Sequence, residues 1–399
     1  MLILAVLMIT LAGLGFGVAR YGSRFIDVVG GNRATGTSAD QRMVYYKDAL
    51  KIVKDYPVLG TGGRGWNAIY RQYQDFGYRS TEVHSHYLQL WVETGTIGLA
   101  AFLAVWAAAV FTTISMLRSR LTVIEKLAVW SVFCAALVLG VHSTIDFNMS
   151  LPAIAVLLWG LFGCLGALYR LMNPGESKFS LQIPGSKRVW KPALTIMMIA
   201  FVAVSFGMLI STQNGEAGKQ LLSQRSFKAA ENELKQAVSI NPLASNYMAA
   251  LAEAVINQGS NNPKIQQTAL GYIDKAILLE PTNPDYRLIH SRFLMTVYNM
   301  DEAVKEIEKA SSLSPFDQKY VDYLAQAYYV AGSYYYSKGD KNKGRVYLSK
   351  AVTLPDLISR RIANIDPKYR SLQLPELTLT VNDNLTGTKA KALQLLAKY

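Results

Sequence analysis

The chain alternates between apolar and polar positions on two different scales. Up to about residue 211 the apolar residues come in long blocks: Met1–Ala19, Gly95–Leu117, Leu127–Ile145, Phe147–Tyr169 and Pro192 to about Ser211. Roughly 20 apolar helical residues cross the hydrocarbon core of a bilayer, so each block reads as a membrane span. From residue 213 the blocks give way to short amphipathic stretches that repeat. The pattern Ala-x6-Ala-x4-Pro occurs at Ala230/Ala237/Pro242, Ala269/Ala276/Pro281 and Ala303/Ala310/Pro315, with a degenerate fourth copy at Gly344/Ala351/Pro355. These prolines lie 39, 34 and 40 residues apart, near the tetratricopeptide period of about 34. Small alanines let paired helices approach closely, and a proline is expected to end the second helix of each pair. The prediction is an all-α protein: a polytopic bundle of about five spans over residues 1–212, a tetratricopeptide solenoid over 213–366, and a tail over 367–399. The tail segment from Leu372 to Lys389 is rich in β-branched residues and reads as a strand or extended segment.

Charge orients the bundle. Arg118, Arg120 and Lys126 lie between the second and third blocks, and Arg170, Lys178, Lys187, Arg188 and Lys191 between the fourth and fifth. Both segments face the same side in a five-span chain, and basic residues favour the cytoplasm. Residues 20–94, the His142–Pro152 turn and everything after about Ser211 are therefore expected outside. The loop 20–94 is itself rich in Lys and Arg, but long loops weigh less in this rule. The first block opens without a basic leader, so a cleavable signal peptide fits poorly; a signal-anchor or a start inside a larger bundle fits better.

Composition narrows the class. Of 399 residues, 51% are hydrophobic and 17% charged, against about 25% charged in soluble domains. The formal net charge of +13 reads as the basic flanks of membrane spans and not as a nucleic-acid surface. Cys134 and Cys164 sit inside apolar blocks, which excludes a disulfide framework and a cysteine zinc site. Four histidines and no Asp-x-Asp sequence point to chemistry without a metal or cofactor.

Candidate chemistry concentrates in residues 33–98. Met43, Leu50 and Val53 give Gln41–Asp55 a helical spacing that Pro57 ends. Gly60, Gly62 and Gly65 spell G-x-G-x-x-G, but no strand leads in, so this is a tight glycine turn and not a dinucleotide fingerprint. Its backbone N–H groups either contact an anion or simply form a turn. Trp66, Tyr70 and Tyr73 fall on one helical face, suited to sugar stacking or to the membrane–water boundary. His84 and His86 precede the second block, and an imidazole there can accept a proton near neutrality. In the repeats, Tyr328, Tyr329, Tyr334, Tyr335 and Tyr336 serve either packing or a glycan- or peptide-contacting groove.

The run PVLGTG through HSHYLQLWVETGTIG resembles the O-antigen ligase/polymerase family of bacterial membrane proteins. Its ligases carry His-Asn/Ser/Gln-x9-Gly-x-x-Gly/Thr at the end of a large periplasmic loop, matched by His84, Ser85, Gly95 and Gly98. The later HSTIDF, His142–Phe147, is similar to members that continue into tetratricopeptide repeats. The resemblance implies a helical membrane fold of the C-type glycosyltransferase kind. It also implies transfer of glycan from an undecaprenyl-diphosphate carrier to a glycan, lipid or protein acceptor. His84 would then be the general base and Arg42 the group that holds the departing diphosphate, with Arg64, His86, Trp66 and Tyr70 lining the substrate. Membrane lipid and a protein partner on the repeats complete the implied partners; no nucleic acid is among them. Family members have about ten or more spans and further arginines in an earlier loop, so this sequence is expected to be a truncated chain, to need a partner chain that supplies the other spans, or to be inactive. The competing reading is a non-catalytic, membrane-anchored tetratricopeptide scaffold for cell-envelope assembly.

Overall fold

The computed structural model describes residues 35–172, 187–259, 262–374 and 377–398. The predicted first span lies outside them. Among the described residues the fold is all-helical.

Helix α1 (Thr35–Asp55) is followed by a glycine-rich turn and the short α2 (Gly65–Ile69). Three apolar helices come next: α3 (His86–Arg118), α4 (Val123–His142) and α5 (Pro152–Met172). Each is long and apolar enough to cross a membrane, as is the Pro192–Ser223 stretch of α6 (Lys187–Ser223). α4 begins in a capping box, in which Thr122 and Glu125 each satisfy an N–H of the other's backbone. α3, α4 and α5 pack together around Phe102, Phe133, Leu158 and Leu165. Gly140 is required in that packing because a Cβ there would enter the Trp106 ring.

α6 leaves the apolar region without a break. Residues 192–206 are exposed on every side, and then Ser211 is buried, donating to the Ala237 carbonyl at 2.8 Å. The end of α6 pairs with α7 (Phe227–Ile240). The array continues as α8 (Ser245–Ile256) with α9 (Pro263–Leu279), α10 (Pro284–Thr296) with α11 (Met300–Leu313), and α12 (Gln318–Ser337) with α13 (Lys341–Ala363). The repeated alanines are the contact points: Ala230, Ala237, Ala269, Ala276, Ala303, Ala310 and Ala351 are all buried. Pro242, Pro281 and Pro315 follow the ends of their helices as expected. Pro355 does not. The fourth copy is one residue shorter between alanine and proline, so Pro355 falls inside α13 and is buried there. Two further turns continue past it and bury Ile358.

The tail also departs from the sequence reading. Residues 378–382 are non-helical, but Asp383–Lys398 form α14, which packs on α12 and α13. Asn382 explains the switch: its side chain accepts from the Leu385 N–H at 3.0 Å and donates to Asp322. Strand propensity without a partner strand loses to a capped helix with an apolar groove to fill.

The loop before α3 and the far end of the array share one core. Ile52, Trp66, Tyr70 and Phe76 belong to the same buried cluster as Tyr320, Leu354, Leu372 and Leu379. Phe76 stacks on Tyr369 with centroids 5.0 Å apart, and Gly77 lies so close to the Leu377 carbonyl that no side chain fits between them. The solenoid is thus attached at both ends, to the apolar α6 and to the α1 loop.

Candidate functional site

Three segments converge on His84. α1 contributes Arg42, Tyr45 and Tyr46; the segment entering α3 contributes His84 and Ser85; the turn between α4 and α5 contributes Asp146 and Phe147. Tyr45 stacks on the imidazole at 5.6 Å, and Phe147 meets it edge-on at 4.8 Å. Nδ1 is closed off and has no hydrogen-bond partner among the described residues, which leaves Nε2 as the nitrogen able to exchange a proton with a substrate. The backbone of His84 is left-handed, φ 60°, a strained state for a non-glycine residue. It is held there from both sides. The Tyr46 hydroxyl donates to the His84 carbonyl at 2.8 Å, and the preceding Val83 N–H donates to Gln89 Oε1 at 2.9 Å. Ser85 caps α3 by accepting from the Leu88 N–H.

The electrostatics tie the cluster together. Burial, and next the Arg42 charge, push the His84 pKa below its ordinary value, while Asp146 pulls the other way. Burial raises the Tyr46 phenol, and the same two charges act on it with opposite signs. A neutral imidazole beside a fixed cation and a carboxylate can accept a proton while an anion is held next to it. Asp146, Tyr45 and Tyr46 were missed as site residues from sequence. HSTIDF marked the turn, but its contact with His84 depends on a long-range bond, the His86 N–H donating to the Ser143 carbonyl at 2.8 Å.

The Gly95-x-x-Gly98 spacing is a helix break and its repair. Gly95 has φ 65° and ψ −170° inside α3, so the ladder from Thr96 and Ile97 back to Val92 and Glu93 is lost. Residues 57–62 replace it. Thr61 and Gly62 N–H groups donate to the freed carbonyls of Val92 and Glu93 at 2.9 Å each, and the Thr96 N–H donates to the Pro57 carbonyl at 2.9 Å. Backbone groups in an apolar setting are thereby satisfied by another backbone. Such an approach tolerates no Cβ: one on Gly60 would collide with Glu93 and Gly95, and one on Gly95 with Val58. Gly98 leaves room for the Thr94 side chain.

At the glycine turn the chain's own Glu93 carboxyl lies near the Arg64 backbone N–H, and Arg64 is left-handed at φ 59°. Gln89 links this carboxylate (2.6 Å) to Val83 and so to the His84 segment. Arg64 is therefore at the helix break and not beside His84. Trp66 and Tyr70 correct both readings of the aromatic face. They are buried, stacked on each other at 5.2 Å, and turned into the loop's core instead of toward a sugar or a bilayer. Trp66 backs Tyr45 at 6.4 Å, which in turn stacks on His84. His86 meets Phe102 of the bundle edge-on at 5.4 Å.

Two family models match parts of the chain. Residues 1–103 match the family model described as O-Antigen ligase, and residues 325–355 match the tetratricopeptide repeat model. None of the curated proteins matches the chain. Among solved structures, the crystal structure of MamA is 19% identical, covers 46% of this chain and 97% of its own, and gives a TM-score of 0.29. A thermophilic tetratricopeptide protein of Thermus thermophilus is 18% identical over 47% of this chain and 92% of its own, with a TM-score of 0.27. PilF of Pseudomonas aeruginosa is 17% identical over 48% and 93%, with a TM-score of 0.28.

Proposed function

We propose that the chain transfers glycan from an undecaprenyl-diphosphate carrier to an acceptor on the outer face of the bacterial inner membrane. The observation that carries this reading is the meeting of Arg42, His84 and Asp146 from three separate segments at the mouth of an apolar helical bundle. In this scheme His84 Nε2 takes the proton from an acceptor O–H, and the freed oxygen attacks the anomeric carbon. The bond from that carbon to the diphosphate oxygen breaks, and its electron pair leaves with the diphosphate. Arg42 neutralises the departing charge through bidentate, charge-assisted hydrogen bonds. Asp146 offsets the Arg42 field at the imidazole and stabilises the imidazolium once it forms. A positioned base of this kind contributes about 10²–10⁴-fold. Gly95, Gly98, Arg64 and Ser85 serve the geometry of the loop, and Trp66 and Tyr70 stiffen its floor.

The test is undecaprenyl-linked glycan turnover in cells that carry His84→Ala, Arg42→Ala or Asp146→Asn. Accumulation of lipid-linked donor with loss of transferred glycan is expected for the first two, and a partial loss for the third. Unchanged envelope glycan in all three rejects the catalytic reading and leaves a scaffold.

A further inference from the structure

The joint between the α1 loop and the end of the solenoid holds a groove of about 540 Å³, lined by Lys47 of α1 and by the end of α13. Lys47, Arg360, Arg361 and Lys368 supply four positive charges to its walls, against Asp75 and Asp366. Those two carboxylates are already committed. Asp75 is paired with both Lys47 (2.7 Å) and Lys51 (3.0 Å), and Asp366 with Lys368 (2.9 Å). The two neighbouring guanidinium groups are in a different position. Among the described residues neither Arg360 nor Arg361 makes an ion pair. Arg361 is half-buried, and its one hydrogen bond runs to a neutral acceptor, the Pro315 carbonyl, at 2.6 Å.

A half-buried arginine beside a second one, with no countercharge, is an arrangement that an anion completes. The aromatic residues of the groove are already covered: Phe316 is buried, and the Tyr369 ring stacks on Phe76 and carries the Lys368 ammonium 4.7 Å from its centroid, so recognition there falls to the two arginines and the exposed Asn364 amide. Its volume suits a few linked sugars and not a single small ion.

We infer that this groove binds an acidic glycan, with Arg360 and Arg361 holding its carboxylate or phosphate groups and Asn364 a sugar hydroxyl. The choice of a glycan among anions rests on the proposed transfer, since such a site would hold acceptor or product chain beside the α1 that bears Arg42. The binding itself is independent of catalysis.

Full-length chain in detergent micelles, titrated calorimetrically with oligogalacturonate, tests it. Maltooligosaccharide of equal length and inorganic phosphate serve as comparison ligands. Expected are binding of the acidic glycan, no binding of the neutral one, weaker binding of phosphate, and loss of affinity with added salt. Arg360→Glu, an exposed change that leaves the core intact, is expected to weaken oligogalacturonate at least about tenfold. His84→Ala is expected to leave this affinity unchanged, so failure of the groove and failure of the catalytic reading are separable. Absence of binding, equal binding of the neutral glycan, or undiminished binding by Arg360→Glu overturns the inference. Recruitment of the wild type, but not Arg360→Glu, to anionic lipid vesicles with no affinity for the glycan would assign the groove to a bilayer surface instead.

Discussion

At the scale of single residues, the chemistry of His84 is set by what surrounds it. Burial and the Arg42 cation both hold its pKa below the ordinary histidine value, so the ring stays neutral and basic through neutral pH. The sign is testable. Removing the cation in Arg42→Ala should raise the His84 pKa toward 6.5, its unperturbed value, read by histidine hydrogen–deuterium exchange across a pH series. A further fall on that substitution would place the guanidinium elsewhere. Trp66 makes a contrasting case. It is fully buried beneath Tyr45 and Tyr70, so Trp66→Ala should cost about 3–5 kcal/mol of stability, visible as a lower thermal midpoint. His84 was readable as a candidate because histidines are few and this one stands just before an apolar block, whereas Arg42 was singled out only by the family resemblance. The inward turn of Trp66 and Tyr70 was not legible: helical spacing fixes which residues share a face, but not what the face meets.

At the scale of elements, the break in α3 shows how far a motif can be read. The spacing of Gly95 and Gly98 was plain in the sequence, whereas its purpose needed the partner loop 57–62, more than thirty residues away. Gly95→Ala joins a left-handed φ to a backbone collision with Val58. The substitution should destabilise by more than about 2 kcal/mol and loosen the loop, with faster amide exchange at Thr61 and Gly62. Wild-type exchange there would mean that the break is not held by this pairing. The repeats were the most legible part, since buried alanines recur at a fixed period and each fills the same contact. Pro355 and α14 were not. A one-residue deletion in the fourth copy and a cap at Asn382 are local changes that only packing reveals.

At the scale of the whole molecule, the array and the site loop are one folded unit, although their sequences match different family models. Phe76, Gly77 and Tyr369 form the join. Deleting residues 367–398 should therefore leave the earlier repeats helical while it uncovers the loop. Limited proteolysis would show new cleavage between Lys47 and Arg79, and the loss of His84-dependent activity would follow. Unchanged protection of the loop would mean that the contact with the tail contributes little. The other attachment is α6, a single helix of 37 residues, about 55 Å long at 1.5 Å per residue. It is a mast planted in the apolar layer with the first repeat carved from its upper end. With one foot on that mast and the other on α1, the solenoid is an arch and not a pendulum. An arch cannot swing, so a ligand that tightens or relaxes its curvature must push on one of its two footings, and one of those footings carries Arg42.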